Sequence, residues 1–71
     1  MRIQPFGEQA LVVSFGDEIS EVVNEQVINL YHCLKRSEQF TFLVPSYASL
    51  TVGIDRTKFT IQEATLKVQE L

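Results

Sequence analysis

Apolar residues near the start of the chain fall on alternate positions. Leu11, Val13 and Phe15 share one face of an extended segment and Ala10, Val12 and Ser14 the other, which predicts a half-buried strand over 10–15. A short extended run over 2–6 precedes it. Gly7-Glu8-Gln9 lies between the two, and glycine's tolerance of positive φ predicts a hairpin there. Past Gly16-Asp17-Glu18 the period changes. Ile19, Val22, Val23, Val27, Leu30, Tyr31 and Leu34 recur at helical spacing, with Glu21, Glu25, Asn29 and Lys35 largely opposite. Ser20 is the expected N-cap, Glu21 complements the positive end of the helix dipole, and Lys35 and Arg36 complement the negative end.

The pattern then repeats. Phe40, Phe42 and Val44 alternate with Thr41 and Leu43, Pro45-Ser46-Tyr47-Ala48 supplies a turn, and Leu50, Val52 and Ile54 alternate with Ser49, Thr51 and Gly53. Thr60 and Glu63 form a T-x-x-E capping box that opens a last helix, on which Ile61, Ala64, Val68 and Leu71 share a face. The order is β-β-α-β-β-α, an α+β fold of two layers: a four-stranded antiparallel sheet with both helices on one face. Leu11, Val13, Phe15, Ile19 and Ser20 correspond in kind to Leu50, Val52, Ile54, Phe59 and Thr60, as in a duplication. The helices are expected over Leu11, Val13, Phe15, Leu50, Val52 and Ile54. That leaves Ala10, Val12, Ser14, Leu43, Ser49, Thr51 and Gly53 on a flat, partly apolar face suited to docking another surface.

Size sharpens that expectation. A chain of 71 residues makes one domain and buries only about 60% of its unfolded surface, so a lone core is marginal. One cysteine, Cys33, excludes an intrachain disulfide. Association is the remaining supplement, as a homodimer or with a neighbouring domain outside this chain. A formal charge of −3, with six scattered basic residues, argues against nucleic acid, whose binders concentrate lysine and arginine. No apolar run approaches the roughly 18 residues of a membrane span, and Met1-Arg2-Ile3-Gln4-Pro5 is no signal peptide, so a soluble, cytoplasmic protein is expected.

The residues offer little chemistry. His32 and Cys33 are adjacent, so on a helix their side chains diverge by about 100° and cannot hold one metal ion together. His32 is likewise no base for a Cys33 nucleophile. Asp17 and Glu18 sit in a turn, Glu21 and Glu25 on a helix surface and Glu63 in a cap. Gly7, Gly16 and Gly53 are too dispersed to cradle phosphate. No catalytic, cofactor-binding or metal-binding residue is therefore assigned. The candidates are contact residues: Pro5, Phe6, Gly7 and Glu8 in the first hairpin and Pro45, Ser46 and Tyr47 in the second, expected together along one edge of the sheet as a partner-binding rim.

Two segments carry a family likeness. Ile3-Gln4-Pro5-Phe6-Gly7-Glu8-Gln9-Ala10-Leu11-Val12-Val13-Ser14-Phe15-Gly16-Asp17-Glu18-Ile19 fits a Pro-x-Gly-acidic-x-Ala-Leu-x-Val-x-Phe-Gly pattern. Val44-Pro45-Ser46-Tyr47-Ala48-Ser49-Leu50-Thr51-Val52, followed by Asp55, fits Val-Pro-x-aromatic-x-Ser-Leu-x-Val with a downstream Asp. In this order around a helix they resemble the N-terminal domain of a family that joins the 5-oxoprolinase component PxpB, the KipI kinase inhibitor and allophanate hydrolase subunit 1. The departures are Glu8 where Asp is usual, Phe42 where an acidic residue is common, Ser46 where Ala or Gly often sits, and Ile54 in place of an aromatic.

The resemblance implies that residues 1–71 are a single N-terminal domain of a longer two-domain family, whose C-terminal cyclophilin-like domain lies outside this chain. It implies a non-catalytic interaction domain within an ATP-dependent assembly that hydrolyses 5-oxoproline. The partners would be the separate A and C components of that assembly, with ATP used by the assembly rather than bound here. The alternative it implies is a KipI-type module that binds a sporulation sensor histidine kinase, blocks its autophosphorylation and is countered by a KipA-like partner. A pterin dehydratase/dimerisation-cofactor domain shares the element order but needs clustered histidines, and a copper-chaperone-like domain needs a C-x-x-C pair; one His and one Cys fit neither.

Overall fold

A computed structural model describes residues 2–16 and 20–70. Strand β1 (Arg2–Pro5) and β2 (Ala10–Ser14) form the first hairpin, followed by helix α1 (Glu21–Ser37). Then come β3 (Leu43–Pro45), β4 (Ser49–Gly53) and helix α2 (Ile61–Glu70). The expected element order and fold class are observed. The expectations for Asp17, Glu18, Ile19 and Leu71 lie outside the described residues.

The strands make one antiparallel sheet in the order β1-β2-β4-β3, so the second strand of each hairpin is central. Its register is symmetric. Leu11 faces Val52 and Val13 faces Leu50 across the β2–β4 seam, with Val12 opposite Thr51 between them. Leu11, Val13, Leu50 and Val52 are completely buried and meet Val27 and Leu34 of α1 and Ala64 and Val68 of α2 in one core cluster. Helix α1 lies over β3 and β4, and α2 over β2.

Both helices start where the sequence specifies. The Ser20 hydroxyl accepts the Val23 N–H at 3.1 Å. Thr60 and Glu63 cap each other, the Glu63 N–H donating to Thr60 Oγ1 and the Thr60 N–H to Glu63 Oε1, both at 3.1 Å. Helix α1 ends at Glu38, which takes the left-handed conformation (φ 55°) and donates its N–H to Lys35 O. Val22, expected on the core face, is 66% exposed. It sits five residues before the fully buried Val27, and at about 100° per residue that turns it well off the buried stripe.

The register of β3 reverses one expectation. The alternation at 40–44 puts Leu43 on the open face, with Phe42 and Val44 inward. Instead Leu43 pairs with Val52 and packs on the core, while Val44 pairs with Thr51 and is 54% exposed. Phe42 is also largely outside the core, at 46% exposure. The cause is a bulge: the Gly53 N–H donates to Phe42 O at 2.8 Å, but Gly53 O accepts from Thr41 N, so two residues face one. The extra residue shifts the alternation, which is why Phe40 and Leu43, three apart, both reach the core. Gly53 is required here because a Cβ at that position would run into the Phe42 ring and the Thr41 hydroxyl.

Each sheet edge ends in a proline, Pro5 on β1 and Pro45 on β3. Pro5 faces Leu11, and Pro45 faces Leu50. These are positions whose backbone groups point away from the sheet, where a missing N–H weakens pairing with any added strand.

Candidate interaction surface

The two hairpin turns do not share an edge. The first turn precedes Ala10, which pairs with Gly53; the second precedes Ser49, which pairs with Ser14. Because β2 and β4 run antiparallel, Phe6, Gly7 and Glu8 lie at one end of the sheet and Ser46 and Tyr47 at the other. The residues expected in a single rim are divided between two turns at opposite ends of the sheet. The misplacement has a simple origin: the turns are equivalent in sequence, but strand order decides where equivalent turns fall.

At the first end Gly7 takes a left-handed φ of 70° and the Phe6 N–H donates to Ala10 O at 2.8 Å, closing the turn. Arg56, just past β4, holds this turn from across the seam by donating from Nη1 to the Glu8 carbonyl at 2.6 Å. Phe6, Glu8, Gln9, Ala10 and Phe42 border a shallow hollow there. At the second end the Ser46 N–H donates to Ser49 O at 2.8 Å, and Tyr47 projects from the turn with 66% exposure. Tyr47 stands over the first turns of α1, where Ser20, Glu21, Asn24 and Glu25 complete a hollow with it. A second hollow on its other side is bordered by Asn24, Ile28, Pro45 and Ser46.

Between the two ends runs the sheet face opposite α1 and α2. Pairing places Arg2, Ser14 and Ser49 in one row across it, Gln4, Val12, Thr51 and Val44 in the next, and Ala10 and Gly53 beside Phe42 in the last. Six of the seven expected residues, Ala10, Val12, Ser14, Ser49, Thr51 and Gly53, lie on this face. Exchanging Leu43 for Val44 and Phe42 makes it more apolar than expected. The alternation at 40–44 is the signal that misleads, because nothing in it marks a bulge. For α1, the stripe Glu21, Asn24, Glu25 and Ile28 at helical spacing is available in the sequence, but only the fold brings Tyr47 to it.

Among the described residues no three His, Cys, Asp or Glu side chains converge where a metal ion could sit. His32 is exposed and its ring meets Tyr31 edge-on at 5.3 Å. Cys33 is half-buried, with Arg36 Nη2 at 3.8 Å from its sulfur. Asp55 has a local structural role. Its Oδ1 accepts the Thr57 hydroxyl at 2.5 Å and the Thr57 N–H at 2.9 Å, and these bonds, hydroxyl first, hold its carboxyl below the ordinary value of 3.8. Among the described residues no helix is long and apolar enough to cross a membrane.

Comparison with known proteins agrees with the fold. Residues 1–71 match a family described as carboxyltransferase domain, subdomain C and D. The crystal structure of a conserved uncharacterized protein from Pyrococcus horikoshii is similar, with a TM-score of 0.89 and 37% sequence identity over 97% of this chain. The match spans 33% of that longer protein. No curated protein matches the sequence.

Proposed function

Since the chain belongs to the carboxyltransferase subdomain C and D family, we propose that it is a non-catalytic protein-interaction domain of a PxpB-type 5-oxoprolinase component or of an allophanate hydrolase subunit 1-like protein. In this reading it joins the A and C components in an ATP-dependent assembly that opens the lactam of 5-oxoproline. Its residues supply contact surface, and ATP and the reacting groups are held elsewhere in the assembly.

The observation that carries the reading is the open sheet face with Val12, Val44 and Phe42 on it and Arg2 as its charged member. Strand rise and spacing give a patch of about 300 Å², against roughly 800 Å² per partner in a standard stable interface. A patch of that size suits a component gripped at more than one place better than an isolated pair. The prolines at both sheet edges disfavour strand addition as the mode of contact.

Reconstitution tests this. The protein carrying this domain is mixed with the A and C components, and 5-oxoproline-dependent ATP hydrolysis is measured. Activity is expected with the native sequence and is expected to fall at least tenfold with Val44→Asp and Phe42→Asp, each of which should keep its circular dichroism. No 5-oxoproline-dependent turnover, together with lowered autophosphorylation of a sporulation sensor histidine kinase, would replace this reading with the kinase-inhibitor one.

A further inference from the structure

We propose that the groove between the turn at 45–47 and the first half of α1 docks a partner segment carrying an arginine or lysine next to an apolar side chain. This rests on the interaction reading above and names the chemistry of the partner at one of its contacts. The two hollows either side of Tyr47 share Tyr47 and Asn24 and so form one continuous groove.

The groove is graded along its length. Its helical wall is Glu21, Asn24, Glu25 and Ile28, spaced i, i+3, i+4 and i+7 and therefore in one stripe. The end nearer the helix start carries the two carboxylates. The other end, about 10 Å further on at 1.5 Å per residue, carries Ile28 and Pro45. Tyr47, 66% exposed, stands between them with its ring open to a cation. Among the described residues no lysine or arginine borders the groove.

A helix start ordinarily favours an anion, but part of this one is already taken by its own chain. The Val23 N–H is taken by the Ser20 hydroxyl at 3.1 Å and the Asn24 N–H by Ser20 O at 3.0 Å. Glu21 and Glu25 add two negative charges where an anion would have to sit. The chain's net charge of −3 further favours the approach of a basic partner. Arginine suits the site best, since its planar group can lie on the Tyr47 ring and still bond a carboxylate.

The test is selection of short random peptides displayed on phage against the immobilised chain, counter-selected on the Glu21→Gln/Glu25→Gln/Tyr47→Ala variant. Enriched peptides are expected to share an arginine or lysine beside an apolar residue. A synthetic copy of the most enriched one should bind about tenfold more weakly to Tyr47→Ala and a few-fold more weakly to each Gln variant, and should lose affinity when its arginine is replaced by citrulline. Its contact should shift the amide signals of 20–28 and 45–47. No enrichment, enrichment of peptides without a cation, or equal affinity for the variants would each overturn the proposal. If the triple variant is unfolded by circular dichroism, the single Tyr47→Ala variant and the citrulline peptide decide the matter. An empty selection removes the groove and leaves the assembly role standing, whereas a failed reconstitution removes the assembly role and leaves the groove.

Discussion

Phe15 and Ile54 make the same bond from opposite halves of the chain. The Phe15 N–H donates to Ala48 O at 2.9 Å and the Ile54 N–H donates to Gln9 O at 2.7 Å, with donor and acceptor displaced by the same 39 positions. The pairing of Leu11 with Val52 and of Val13 with Leu50 obeys the same displacement. The two β-β-α units are therefore related by a twofold axis through the Val12–Thr51 pair, and equivalent residues should carry equivalent energetic weight.

Leu11→Ala and Leu50→Ala test that equivalence. Both side chains are fully buried at twofold-related places, so each truncation is expected to cost about 2–5 kcal/mol, and the two costs should agree within about 1 kcal/mol. Urea unfolding followed by circular dichroism measures both. For a domain this small the total stability is about 4–10 kcal/mol, so either variant should lower the urea midpoint by a large fraction of its native value.

Glu38→Gly is expected to stabilise the protein by about 0.5–1 kcal/mol. Glu38 closes α1 at φ 55°, where a side chain is disfavoured and glycine is not. A higher urea midpoint with unchanged slope is the expected result. A lower midpoint would mean that the Glu38 side chain contributes more than its backbone conformation costs.

Gly53→Ala should destabilise by about 1–3 kcal/mol, because the new methyl meets the Phe42 ring and the Thr41 hydroxyl at the bulge. Combining it with Phe42→Ala should recover part of the loss, since the ring is one of the two obstacles. A double-mutant cycle in urea gives the coupling, and strict additivity would show that the two residues do not oppose each other.

Thr57→Val should raise the Asp55 pKa toward its ordinary value of 3.8, because the hydroxyl that chiefly favours the carboxylate is removed while the Thr57 N–H remains. The sign follows from linkage. A carboxyl whose folded pKa is depressed contributes stability above its unfolded pKa and loses it as pH falls through the lower folded value. Stability in acid should therefore decline less steeply in the variant over that window. Carbon-detected titration of the Asp55 carboxyl reads the shift directly.

Much of the architecture is legible in the sequence because local rules and the global fold agree there. Strand β2 and strand β4 alternate cleanly, and Ser20 and the Thr60–Glu63 pair announce the helix starts they in fact make. What is not legible depends on relations between distant segments. The bulge at Thr41 and Phe42 exists only against Gly53 of the neighbouring strand, and it exchanges Leu43 with Val44 between faces. The separation of Phe6 from Tyr47 follows from the strand order, which places like ends of the two hairpins apart. The bond from Arg56 to the Glu8 carbonyl likewise has no local signature.

The placement of the helices has a consequence for how the molecule comes together. Each helix rests on the hairpin of the other half, α1 on β3 and β4 and α2 on β2. A single β-β-α unit would thus lack the strands on which its helix chiefly rests. Neither half can ripen first and wait for the other. The protein should assemble and come apart in one concerted step, as two hands do when each grips the other's wrist.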